Sequence, residues 1–100
     1  MAYEAGALET TLQAAAGGDP ELLAELRTAY VEGVSRQVDL LSRSRCDGNW
    51  TVAAMRLQGL AASFHAVALL TLAEEALETA PGDPAVVRKL RAYLAQFTDT

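Results

Sequence analysis

The stretch WTVAAMRLQGLAASFHA, residues 50–66, decides how the chain folds. Trp50, Ala53, Ala54, Leu57, Leu60, Ala61 and Phe64 recur at steps of three and four, which places them on one stripe of an α-helix facing a core. At about 100° per residue, Met55 lies roughly 140° round from Trp50 and points away from that stripe. Gln58, Gly59 and Ala62 follow on the same outer side, with Thr51 and Val52 one turn earlier. A solvated helix face normally carries Glu, Lys or Arg. This one offers a thioether, a primary amide, a bare backbone at Gly59 and small apolar groups. Gly59 also weakens a helix by about 1 kcal/mol relative to Ala, so its presence needs a reason. Either a neighbouring helix approaches closely there, or something from outside comes near the backbone beside Met55.

The same residues resemble the signature of the histidine-containing phosphotransfer (HPt) domains of bacterial phosphorelays, roughly A-H-x-L-K-G-x-x-x-x-x-G-A. Leu57, Gly59 and Ala66 stand where that pattern has them, and helix lengths and turn positions extend the likeness along nearly the whole chain. Three departures concern chemistry. Met55 stands in place of the phosphorylated histidine, Gln58 in place of lysine, and His65 in place of glycine. The resemblance implies an up-and-down helical bundle that docks a receiver or histidine-kinase domain through the Met55 helix and the one before it. Val52, Met55, Gln58, Gly59 and Ala62 form that docking face, and Met55 is a degenerate phosphoacceptor position.

Length and composition bound the alternatives. One hundred residues suit a single domain, 1–100, able to bury about two thirds of its unfolded surface. The composition, 51% hydrophobic and 21% charged, is that of a globular chain. Ala and Leu dominate while β-branched residues are sparse, which favours helix throughout. The formal net charge is −5, and the cations are scattered along the sequence, so nucleic acid is not an expected partner. No apolar run approaches the roughly 18 residues of a membrane span. The N-terminus, MAYEAGALE, has neither the cationic nor the apolar region of a signal peptide, which predicts a cytoplasmic chain. Cys46, the only cysteine, cannot form an internal disulfide. Arg43 and Arg45 lie near it in sequence and are able to favour a thiolate, although a plain thiol is the simpler reading.

Working outward, residues 4–16 form a weak helix with Leu8 and Leu12 on one side, broken by GGDP at 17–20. Asp19 as N-cap and Pro20 at the first helical position start the next helix. It runs to about Ser44 on the stripe Leu22, Leu26, Ala29, Tyr30, Val34, Val38 and Leu41. Val31 and Leu40 fall off that stripe, either docking the first helix or remaining exposed. CDGN at 46–49 reads as a turn, with positive φ at Gly48 and Asn49 as N-cap. The Met55 helix ends at His65, because its stripe and the following one, Leu70, Ala73 and Leu77, must fold together. A continuous helix of some thirty residues would be about 45 Å long and leave half its apolar face uncovered. His is among the residues that tolerate the left-handed region such a reversal needs. Residues 67–79 form the next helix, with Glu74, Glu75 and Glu78 facing solvent. PGDP at 81–84 repeats the start signal, and the last helix runs to about Phe97 on Val86, Val87, Leu90, Leu94 and Phe97, with Arg88, Lys89 and Arg91 on a basic flank. The fold class is all-α, an antiparallel up-down four-helix bundle with a short N-terminal capping helix.

One His and one Cys do not make a metal site, and no base, orienting acid and oxyanion donor surround Ser63 and His65. His65 lies ten residues beyond Met55, about 15 Å of helical rise, so it cannot stand in as acceptor on the same docked face. Met55 has no nucleophilic nitrogen or oxygen. No enzyme, no cofactor and no metal are expected. The reading is a monomeric phosphorelay module that binds its partner without passing phosphate. The alternative is a structural or dimerisation bundle unrelated to phosphorelay, whose apolar outer face is the seam between two copies.

Overall fold

The computed structural model describes residues 7–98, and among them the chain is all-helical. Five helices follow one another: α1 (Ala7–Ala16), α2 (Pro20–Ser42), α3 (Asp47–Phe64), α4 (Val67–Glu78) and α5 (Pro84–Thr98). Residues 4–6 of the expected first helix lie outside the described residues. Helix α3 packs against α2 and α4, and α5 packs against α2 and α4. Helix α1 lies on α2 and touches α3.

Local chemistry sets the boundaries. Gly17 takes φ 60° just after α1, a conformation that costs a residue with a Cβ. The Asp19 carboxylate then accepts from the backbone N–H of Glu21 and Leu22 at 3.0 and 3.3 Å, satisfying donors that the start of α2 leaves without a helical partner. Asp83 does the same for α5, accepting from the Ala85 N–H at 2.8 Å. The start of α3 differs from the sequence expectation. The Trp50 N–H donates to the Cys46 carbonyl at 3.1 Å, so the helix is already formed at Asp47 with Cys46 as N-cap. Asn49 is thus inside the helix and Gly48 is helical, without positive φ.

His65 supplies the reversal between α3 and α4. It sits at φ 58°, ψ 37°, in the left-handed region. The Ala66 N–H reaches back to the Ala61 carbonyl at 2.8 Å and the His65 N–H to the Ala62 carbonyl at 3.4 Å, the paired closing bonds of a Schellman motif. Ala61 and Ala66, which such a motif brings together, are both buried. At the far end of this hairpin the Trp50 indole N–H donates to the Ala76 carbonyl at 2.7 Å. The first turn of α3 is therefore beside the last turn of α4, and the two helices run in opposite directions.

The core joins Leu8 and Leu12 of α1 to Tyr30, Val34, Val38 and Leu41 of α2, and to the buried faces of α3, α4 and α5. Helix α2 buries a slightly rotated stripe in its first turns: Leu22 and Ala29 are exposed, whereas Leu23 and Leu26 pack against the core. Val31 is half-buried and Leu40 exposed, and the helix ends at Ser42, two residues before the expected Ser44. The periodicity reading also passed over Tyr93, which is 1% exposed. Its hydroxyl meets that of Tyr30 at 2.6 Å inside the core, which satisfies the polar atom that would otherwise oppose burial. Phe64 and Phe97 pack edge-on against these rings, with centroids 5.0 Å (Tyr30–Phe64) and 5.2 Å (Tyr93–Phe97) apart.

The His65 side chain is exposed, so its replacement disturbs no packing. Glycine at this position relieves the left-handed cost but enlarges the freedom of the unfolded chain. His65→Gly is therefore expected to be neutral or to stabilise by up to about 1 kcal/mol. His65→Val, β-branched at positive φ, is expected to destabilise by more than about 1 kcal/mol. Denaturant titration of both variants checks the pair.

Candidate functional site: the outer face of α3

The core stripe of α3 is buried at Trp50, Ala53, Ala54, Leu57 and Ala61, and half-buried at Leu60 and Phe64. The opposite face therefore looks outward. Met55 is 56% exposed and Val52 46%, which puts a thioether and an isopropyl group side by side one turn apart. Gly59 and Ala62 are exposed beyond them, and Gln58 is half-buried at the edge of the patch. All five residues of the expected docking face thus share one surface. His65 is exposed at the helix junction.

Gly59 can now be weighed. A Cβ built on it meets no atom within 4 Å, so no neighbouring helix of this chain requires a glycine there. The intramolecular explanation is removed, and the helix carries a weak residue that its own packing does not call for. By contrast, a Cβ on Gly33 of α2 would come within 3.9 Å of the Leu60 side chain, an ordinary contact.

The seam between α2 and α3 runs beside this face as two adjoining clefts that share Arg56. One is bordered by Leu40, Arg43, Asn49 and Val52. The other is bordered by Gly33, Arg36, Gln37, Gly59 and Ser63. Arginines scattered in sequence are thereby gathered in space. Arg36 on α2 and Arg43 at its C-cap are seven residues apart, about two turns, and Arg56 joins them from α3. Arg43 pairs with Asp39 at 3.1 Å. Arg36 and Arg56 have no ion pair among the described residues, whereas Arg27 is held by Glu9 and Lys89 by Glu75. Gln37 also stands out: its Oε1 is buried without a hydrogen-bond partner, a state that typically costs about 1–3 kcal/mol. Residue-by-residue reading of α3 could not find this grouping, because it depends on the rotation of α2 against α3.

No family model, curated protein or solved structure matches the chain. The site is therefore interpreted from its own chemistry. Among the described residues no three His, Cys, Asp or Glu side chains are grouped to hold a metal ion. Cys46 is exposed and free, and Ser63 is an exposed hydroxyl on the cleft wall. No helix among the described residues is long and apolar enough to cross a membrane. What the face offers is contact area: a small apolar centre, an accessible backbone and flanking guanidinium groups, a combination suited to holding another macromolecule.

Because space around Gly59 is open, Gly59→Ala should recover most of the helix-propensity difference and stabilise the fold by about 0.5–1 kcal/mol. Urea titration reads this directly. Loss of stability instead would mean that the Gly59 backbone is needed by the fold itself.

Proposed function

We propose that this chain is an HPt-like module of two-component signalling that binds a response-regulator receiver or histidine-kinase domain without accepting phosphate. The observation that carries the reading is the exposed apolar face at Val52 and Met55, next to a glycine that the packing of the chain does not require. The signature around Met55 supplies the kind of partner. In this reading the helices α2 to α5 are the up-down four-helix bundle of that family, α1 is its cap, and residues 1–100 form one domain. The ring of contacts from α2 through α3, α4 and α5 back to α2 supports it. The chain acts as a cytoplasmic, monomeric binding protein of a bacterial pathway, with no enzymatic step and no cofactor of its own. Met55 offers no atom able to form a bond to phosphorus, so a receiver docked here keeps its phosphoryl group or loses it to water.

A charge placed at the centre of a docked apolar patch must be desolvated without a partner, which typically costs several kcal/mol. Met55→Asp should therefore abolish binding to a receiver measured by calorimetry, while its exposed position keeps the stability change within about 1 kcal/mol. A large loss of stability would mean that Met55 belongs to the core. The alternative, a dimerisation bundle, is favoured by the same exposed patch. It is the reading to adopt if sizing shows a stable dimer that Met55→Lys separates.

The lost chemistry can also be restored. Met55→His introduces an imidazole with an unperturbed pKa near 6.5, mostly neutral and nucleophilic at about pH 7.5. Gln58→Lys, three residues along the same face, adds a cation for the incoming phosphoryl charge. The wild type is expected to take no phosphate from a phosphorylated receiver, and the double variant a detectable, acid-labile amount. Acid-labile phosphate on wild-type chain, mapped to His65, would overturn the proposal.

A further inference from the structure

We infer that the α2–α3 seam is a docking surface for an acidic protein segment, with Arg36 and Arg56 clamping one of its carboxylates over Gly33, Gly59 and Gln37. This names the partner's chemistry at the face described above and so rests on the proposed function for its location. Charge is the first argument. The chain carries 13 acidic and 8 basic residues, yet Arg36, Arg43 and Arg56 all border one seam. Arg27 is engaged with Glu9, Lys89 with Glu75, and Arg91 with the Ser42 hydroxyl at 3.1 Å, while Arg45 and Arg88, also without an ion pair among the described residues, border neither cleft of the seam. Arg36 and Arg56 have no counter-ion among the described residues, although acidic residues outnumber basic ones. Guanidinium groups present planar forks that match carboxylates, and two of them on one cleft bind a carboxylate from both sides.

The shape of the cleft is the second argument. Its volume is about 450 Å³, and glycines stand on both of its walls, Gly33 on α2 and Gly59 on α3. Leu60 borders the space at Gly33, whereas nothing stands within 4 Å of a side chain at Gly59, so the room for a partner side chain is on the Gly59 wall. Gln37 is the third. Its buried Oε1 has no donor, so turning the amide into the cleft to meet a peptide N–H would relieve an existing cost while the carboxylate engages the arginines. Nucleic acid fits less well, because two unpaired arginines on one seam of a chain with net charge −5 do not track a phosphate backbone.

The test titrates isotope-labelled full-length chain with a capped hexapeptide of aspartate and glycine, with its asparagine counterpart, and with a single-stranded oligonucleotide. The expected result is saturable, salt-sensitive shifts at Gly33, Gln37 and Gly59 and at the Arg36 and Arg56 side chains, from the aspartate peptide only. R36Q with R56Q should weaken binding by about tenfold or more, and the corresponding lysine pair should recover part of it. Equal shifts from the asparagine peptide, shifts centred on Arg88 and Arg91, tighter binding of the oligonucleotide, or no shift at millimolar peptide would each overturn the inference. The outcome for the proposed function is separate. If a receiver binds wild type and R36Q/R56Q alike but not Met55→Asp, the docking reading stands and the clamp is wrong. If the peptide maps to the seam while no receiver or kinase domain binds, the clamp stands and the HPt-like reading is wrong.

Discussion

The reversal of the backbone at His65 holds the largest part of the core in place. Helices α3 and α4 together span most of the central apolar sequence, and their stripes face each other only because one residue takes φ 58° between them. The turn is closed by two backbone hydrogen bonds and by the contact of Ala61 with Ala66, so its conformational cost is offset locally. Once it is made, Trp50 falls opposite Ala76. The indole N–H then donates to the Ala76 carbonyl near the end of α4, which also accepts from the Thr79 N–H at 3.4 Å and the Thr79 hydroxyl at 3.1 Å. Polar contacts thus mark both ends of the hairpin, the closing backbone bonds at His65 and the buried indole N–H of Trp50.

Small residues make the hairpin tight. Ala53, Ala54, Ala61, Ala66, Ala73 and Ala76 are all buried, and short side chains on facing helices let the backbones approach. Volume comes from elsewhere. Tyr30 and Phe97 reach in from α2 and α5 to stack edge-on at 5.9 Å, and the paired hydroxyls of Tyr30 and Tyr93 tie residues 63 positions apart. These long-range aromatic contacts put α5 against α2 and close the core on the side that the hairpin leaves open.

How much of this could be read in advance follows from range. Elements governed by neighbours in sequence were legible: the Asp-Pro starts of α2 and α5, the 3.6-residue stripes, and a break at His65 forced by two stripes with no other way to meet. Errors fell where tertiary packing chose between near-equal local options. Trp50 needs the Ala76 carbonyl, and α3 starts early enough to bring its first hydrogen bond to Cys46, leaving Asn49 inside the helix. Tyr93 sits on the same period as Leu90 and Phe97 although the expected stripe omits it, and the partner that satisfies its buried hydroxyl, Tyr30, lies far away in sequence. The outward face of α3 was legible because it follows from angle alone. The arginine seam was not, since it depends on which side of α2 lies against α3.

A helix that contributes so many residues to the core is under strong packing constraint on its inner face and under almost none on its outer one. Stability alone would place charged or strongly helix-forming residues at positions 52, 55, 59 and 62, because exposed apolar groups contribute little to folding and a helical glycine weakens it. Ala62 fits that expectation, but Val52 and Gly59 are weaker helix formers and Met55 exposes a thioether, and the nearby cations Arg36 and Arg56 stand without counter-ions among the described residues. Val52, Met55 and Gly59 share one side of the molecule, although Val67 of α4, 64% exposed, and Leu22 of α2 also leave apolar side chains in solvent. Gly59 is the choice that neither packing nor helix propensity accounts for, and it lies on the same outer face as Met55 and borders the same cleft as Arg36 and Arg56.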